Sequence, residues 1–154
     1  MRIRDLMPVN EPVAIGSYQF DAETIIAFAS KYDPHIFHLD AEKAKDSLFG
    51  GLCASGWHVT AVAMKLNVAH HQKQATRMKA EGVEPPKLGP SPGIRDLKWL
   101  KPVFAGDTIS FSLTFLSDGP GYRPDYEFCD IRFEGVNQNG ETVMRFDSRV
   151  VEFV

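Results

Sequence analysis

Cysteine is scarce in this chain: of its 154 residues only Cys53 and Cys129 carry a thiol, and neither belongs to a CxxC pair. A cysteine-built zinc site is therefore excluded, and a soluble cytoplasmic protein with free thiols is expected. Basic surplus is missing too. Lys plus Arg is 17 against 20 for Asp plus Glu, a net charge of −3, whereas a nucleic-acid binder carries a basic face. No apolar run approaches the roughly 18 residues that span a bilayer. The opening Met1-Arg2-Ile3-Arg4-Asp5 has no apolar signal core. No internal repeat and no low-complexity segment is visible. What is present is ordinary globular material, 44% hydrophobic and 24% charged, at a length that predicts one core and one domain over residues 1–154.

Several chemistries lack their motifs. Phe49-Gly50-Gly51 is not followed by the Lys-Ser/Thr of a phosphate loop. There is no GxSxG elbow, and neither cysteine sits in a nucleophile motif. The five histidines offer only His35-x-x-His38 and His70-His71 as short spacings, without accompanying ligands, so no metal site is expected.

The first half reads as helical and the second as sheet. Residues 12–20 form a plausible strand. Asp21 is a helix N-cap followed by acid in the first turn, and that helix stops near Tyr32-Asp33 because Pro34 disfavours helical dihedrals before it. Asp40 caps a second short helix over Ala41–Lys45. Ser55 is an N-cap candidate for a helix over roughly 56–70. On a wheel of 100° steps, apolar residues from Trp57 to Ala69 fill both flanks of that helix, which predicts burial on both. Met64 reads as core packing, and His58 as a satisfied core or interface histidine. Residues 78–93 hold four prolines and three glycines and read as a long loop of functional or interface character. Strands follow at 94–103, 108–116, 126–136 and 142–153, with Ser117–Pro124 and Asn137-Gln138-Asn139-Gly140 as turns. In 108–116 Ile109, Phe111, Leu113 and Phe115 alternate with polar residues. A shift of apolar phase between Phe128 and Ile131 suggests a bulge. The layout is α+β: a curved antiparallel sheet wrapped around one apolar helix.

Two clusters could carry chemistry. Asp33 and His38 are five residues apart with a proline between them, so a turn must bring them together. A carboxylate and an imidazole converging on one point can hold and polarise a water; the alternative is a helix end capped by Asp33 and a core hydrogen bond from His38. In Ala54-Ser55-Gly56-Trp57-His58, the first N–H groups of the following helix are free and partly positive, and Gly56 lets a ligand approach. Simple capping by Ser55 is the alternative. Arg95, Lys98 and Lys101 are either a solvated strand edge or a phosphate-recognition set.

These residues resemble a known family. Asp33 to Asp40, Phe49-Gly50-Gly51 and Ala54 to His58, with Ser91-Pro92-Gly93-Ile94, Trp99-Leu100-Lys101-Pro102-Val103 and Gly106-Asp107 further on, are similar to the MaoC-like dehydratases and their (R)-specific enoyl-CoA hydratases, over roughly residues 15–150. The family motif Asp-x-Asn-Pro-x-His reads here Asp33-Pro34-His35-Ile36-Phe37-His38. Its Asp and His match, as does Leu39-Asp40 after them, while His35 and Ile36 stand where the family has Asn and Pro. One branch carries Pro directly after the Asp, as Pro34 does. The resemblance implies a hot dog fold, a homodimer, and an acyl-thioester tunnel beside the central helix. It implies that Asp33 and His38 activate a water and that the Gly56 N–H binds the thioester oxygen. The reaction implied is hydration of a trans-2-enoyl-CoA, or in reverse the dehydration of an (R)-3-hydroxyacyl-CoA, without a cofactor. Ser55, Trp57 and Lys98 complete the expected substrate-binding set, with coenzyme A or acyl carrier protein as the carrier. A hot dog thioesterase is the alternative enzyme, against which stands the lack of Asp and Glu over 56–70. A non-catalytic acyl-thioester-binding module is the third reading.

Overall fold

The computed structural model describes residues 1–154. The chain runs α1 (Ile3–Leu6), β1 (Pro12–Gln19), α2 (Ala22–Tyr32), α3 (Ile36–Leu39), α4 (Ala41–Ala44), α5 (Gly56–Ala80), β2 (Lys87–Leu88), β3 (Gly93–Trp99), β4 (Thr108–Pro120), β5 (Tyr126–Val136) and β6 (Thr142–Phe153). The sheet is antiparallel in the order β1-β4-β5-β6, with β2 and β3 both on the far side of β6. Its inner face and α5 enclose the core.

The alternation in β4 does what its period requires. Ile109, Phe111, Leu113 and Phe115 are all buried against the helix side. Removing such side chains from water stabilises by roughly 1.5–3 kcal/mol each. Cys129, Ile131 and Phe133 of β5 and Met144 and Phe146 of β6 complete that face. Phe133 and Phe146 are direct cross-strand partners with rings stacked 4.5 Å apart. The outer face carries charge. Arg132 pairs with Asp147, and Arg149 with Asp130, each through two hydrogen bonds of 2.8–3.0 Å.

The expected bulge in 126–136 lies elsewhere. β5 pairs with β6 without interruption from Tyr126 to Gly135, and the irregularity is in β4, where Leu116 is extra between Phe115 and Ser117. The apolar phase shifts because Phe128 points outward. It is covered there by Tyr122 and Tyr126, with the Arg149 guanidinium 5.3 Å above its ring.

The caps at Asp21 and Asp40 form as the sequence predicts: Asp21 accepts from the Thr24 N–H at 2.8 Å, and Asp40 from those of Glu42 and Lys43. Helix α5 is ten residues longer than expected. Residues 71–80 contain no Gly or Pro and are rich in Gln, Lys, Ala, Arg and Met, all good helix formers. The stop comes at Gly82, whose φ of 75° is the left-handed conformation that glycine adopts without strain. The N–H groups of Gly82 and Val83 close back onto the carbonyls of Lys79 and Met78 at 3.1 and 2.9 Å, a Schellman termination. The expected loop at 78–93 shrinks accordingly and is interrupted by β2.

The prediction that both flanks of α5 are buried also needs correction. His58, Val59, Val62 and Ala63 are buried against the sheet. The opposite stripe, Trp57, Ala61, Met64 and Val68, is exposed, because one sheet covers one side of a helix. His58 sits among the rings of Phe28, Phe20 and Tyr18, but its buried Nδ1 has no hydrogen-bond partner, so it is not the satisfied core histidine anticipated.

Burial pushes the proton affinity of His58 down, and burial does the same to His70 and His71. Each binds a proton more weakly folded than unfolded, so below about pH 6.5 the unfolded chain takes up more protons. The stability these groups allow is present above that pH and is lost as the pH falls. We expect the urea midpoint to decline between about pH 7 and pH 5, and His58→Leu to remove part of that decline. A midpoint flat over this range contradicts the account.

Candidate active site

Helix α2 ends where Pro34 forbids its continuation. Asp33 is left at the C-cap with φ −154°, its N–H still bonded to the Ala29 carbonyl. The single turn of α3 then brings His38 back beside it. From the other side, the strand-like segment Leu52–Ala54 lies along Val103–Ala105: Ala54 donates to the Val103 carbonyl at 2.8 Å and Ala105 to that of Leu52 at 3.0 Å. These bonds pin the start of α5 to the β3–β4 connection, and the Cys53 N–H, donating to the Phe37 carbonyl at 3.1 Å, ties it to the Asp33–His38 turn.

The pair meets as the spacing suggested. His38 Nε2 lies 3.4 Å from Asp33 Oδ2, and both side chains are largely buried. His38 Nδ1 is 2.6 Å from the Cys53 carbonyl. A carbonyl only accepts, so Nδ1 carries a proton and Nε2 is the nitrogen turned towards Asp33. Ser55 occupies the N-cap position of α5 but does not cap it. Its hydroxyl donates instead to Asp33 Oδ2 at 2.7 Å. The remaining oxygen, Oδ1, is hydrogen-bonded to His35 Nδ1. Burial pushes the Asp33 carboxyl up, but the bonds from Ser55 and His35 and the charge of His38 outweigh it, and the group is held below the usual aspartate value. Cys53 behaves oppositely: burial, then the neighbouring Asp33 charge, raises its thiol to about 11. It stays protonated and is a poor nucleophile.

Asp33 and His38 open into a cavity of about 540 Å³ with mostly apolar walls, within the range of small-molecule sites. Phe37, Phe49, Gly56, Trp57 and Trp99 contribute to its lining. Gly56 begins α5, so its N–H and that of Trp57 have no carbonyl within the helix to bond. The close approach that Gly56 permits is made by the protein itself. A Cβ there would stand 2.3 Å from the Trp99 indole, so only glycine lets that ring lie on the first turn. Trp99 Nε1 donates to the Thr60 hydroxyl at 3.1 Å, and the rings of Trp57 and Trp99 meet edge to face 4.9 Å apart.

Of the residues predicted from sequence, the structure brings together Asp33, His38, Ser55, Gly56 and Trp57. It does not bring Lys98, which lies exposed on β3 outside the cavity wall. The basic residue that lines the cavity is Lys101, with its amine paired to Glu141. Arg95 lies 3.6 Å from Asp130, on the outer face of the sheet. His35 and Trp99 were missed as site residues. His35 was visible as a short His spacing and a departure from the family motif, and Trp99 as the first residue of the Trp99–Val103 segment that resembles the family, neither with a role assigned. Ser55 was read as a cap because local preference is all that a sequence shows of a serine.

The MaoC-like domain model matches residues 7–121. An uncharacterized protein of Bacillus subtilis, YdeM, is 26% identical over 134 residues, covering 87% of this chain and 86% of that one. The crystal structure of a MaoC-like dehydratase from Rhodospirillum rubrum superposes with a TM-score of 0.79 at 33% identity, covering 99% of this chain and 97% of that one. The (R)-hydratase of A. caviae involved in PHA biosynthesis superposes with a TM-score of 0.65 at 19% identity, covering 94% and 96%. At that identity it speaks for the fold alone, a sheet curled around a central helix, the hot dog arrangement.

Proposed function

Because this chain belongs to the MaoC-like domain family, we propose that it is a hydro-lyase that adds water reversibly to a trans-2-enoyl thioester, giving the (R)-3-hydroxyacyl product. The observation that carries this reading is the Asp33–His38 pair, with its acceptor atoms side by side at the mouth of an apolar cavity. A water donating to both is held over the double bond. As its oxygen attacks C3, His38 Nε2 takes one proton and the electron pair of the double bond moves onto the thioester oxygen. The free N–H of Gly56 and the positive end of α5 face that developing charge. C2 then takes the proton from the imidazolium, so one water is added and the enzyme is restored. Asp33, ionised throughout, stabilises the imidazolium by charge. Ser55 positions Asp33, and Trp57 lines the wall along which the thioester lies. The reading includes a homodimer, with the exposed stripe Trp57, Ala61, Met64 and Val68 as the surface a second copy covers.

A panel of trans-2-enoyl-CoA thioesters of increasing chain length tests the proposal, with enoyl absorbance and free thiol followed in parallel. Loss of enoyl absorbance without thiol release is expected. Thiol release makes the protein a thioesterase, although α5 carries no Asp or Glu to serve that chemistry. Silence in both channels, with acyl-CoA still bound, makes it a binding module.

A further inference from the structure

His35 stands where the family motif has Asn, and the reaction above makes no use of it. Its surroundings differ from those of His38 in one respect that matters. His38 is buried, with Nδ1 held by the Cys53 carbonyl and Nε2 lying 3.4 Å from Asp33 Oδ2. His35 has only Nδ1 committed, to Asp33 Oδ1. A carboxylate only accepts, so that nitrogen carries a proton. The rest of the ring is in solvent, with the side chain 68% exposed against 17% for Asp33 and 8% for His38. Nε2 can therefore gain a second proton without burying a charge. Nor is the ring free to swing: it stacks nearly parallel on Phe37, 4° between planes and 5.5 Å between centroids. The three groups form a chain from solvent inward, His35 to Asp33 to His38.

We propose that His35 is a positioning residue that also gives this site a second pH-responsive group, one that an Asn at the same place cannot supply. This rests on the hydratase reading. Neutral His35 orients Asp33 by holding Oδ1, leaving Oδ2 for Ser55 and His38. Protonated His35 places a positive charge against the same carboxylate. Asp33 then stabilises the His38 imidazolium less, His38 becomes a weaker base, and hydration slows. The other groups near His35 do not substitute for it. Ser55 does not titrate, the Cys53 thiol stays protonated up to about 11, and the Lys101 amine is engaged by Glu141.

The test is the pH dependence of kcat/KM for enoyl-CoA hydration by wild type, H35N and H35L. On the acid side the wild-type profile is expected to fall more steeply than loss of His38 to one proton alone gives, because the proton on His35 slows the reaction further. H35N keeps a donor for Oδ1 but cannot titrate. It is expected to fall with a slope of one and to recover most of the alkaline turnover that H35L loses. H35L loses the donor, and its kcat is expected to drop about tenfold or more at every pH, the scale of a lost hydrogen bond to a charged group. An H35N profile that superimposes on wild type overturns the inference and leaves the hydratase reading intact. No hydration by wild type on any thioester overturns both.

Discussion

Asp33→Asn is expected to lower hydration turnover by about 10²–10⁴-fold, the span of a lost acid–base function, and His38→Gln to do the same. The two fail for different reasons. His38→Gln leaves no group able to take the proton from water. In Asp33→Asn the base remains, but the carboxylate that stabilises its imidazolium is gone. The amide also brings a donor to a place where Ser55 and His35 already donate. Because the Asp33 carboxylate accepts from Ser55 and His35, Asp33→Asn is also expected to lower the thermal midpoint somewhat. Circular dichroism melting and single-substrate kinetics on the same preparations separate loss of chemistry from loss of fold. Wild-type turnover in both variants would sink the site assignment.

The largest effect on stability is expected at the far end of the molecule, at Glu152. Its carboxylate is 1% exposed and serves three groups. Ile3 donates its backbone N–H to Oε1 at 2.7 Å, the Arg2 guanidinium is 3.0 Å from Oε2, and the Cys129 thiol donates to Oε2 at 3.3 Å. Burial, with that bond to Glu152, lifts the Cys129 thiol to about 12, so it never competes for the negative charge. Glu152→Ala leaves Arg2 with Glu127, 2.7 Å away and more exposed, as its remaining partner, and an N–H of α1 unsatisfied. Leaving a buried donor unsatisfied costs about 1–3 kcal/mol, and with Arg2 still paired to Glu127 we expect a loss of that order in urea unfolding. Glu152→Gln, which still accepts from Ile3, should fall between. Amide exchange at Ile3 should accelerate in the alanine variant. A loss below about 1 kcal/mol, the scale of a surface pair, would show that α1 is not anchored there.

How far the sequence could be read depended on the range of the interaction concerned. The caps at Asp21 and Asp40, the break before Pro34 and the alternation of β4 are settled within a few residues, and each was read correctly. The end of α5 was equally local. Gly82 lies just beyond a run of good helix formers, but the apolar pattern fades near residue 70, so periodicity alone ends the helix ten residues early. The phase shift at Phe128 was misread because an outward aromatic with its own cover leaves the same trace as a bulge. Telling them apart needs Tyr122, Tyr126 and Arg149 in place.

By itself, then, the sequence determined the α+β layout and the inward set of β4, and it offered Asp33 and His38 as a pair that only a turn could join; that they meet was decided by the fold. Tertiary structure alone decided the rest. Ser55 abandons its cap for a carboxylate 22 residues away. Trp99 rests on Gly56 because the β3–β4 connection is pinned to the start of α5. Glu152 is buried because α1 folds back over the end of the sheet. Lys101 rather than Lys98 reaches the cavity, a matter of where β3 ends. Residue preferences and periodicity report the backbone's local geometry, whereas these contacts depend on which distant segments the register and packing bring within a few ångströms of each other.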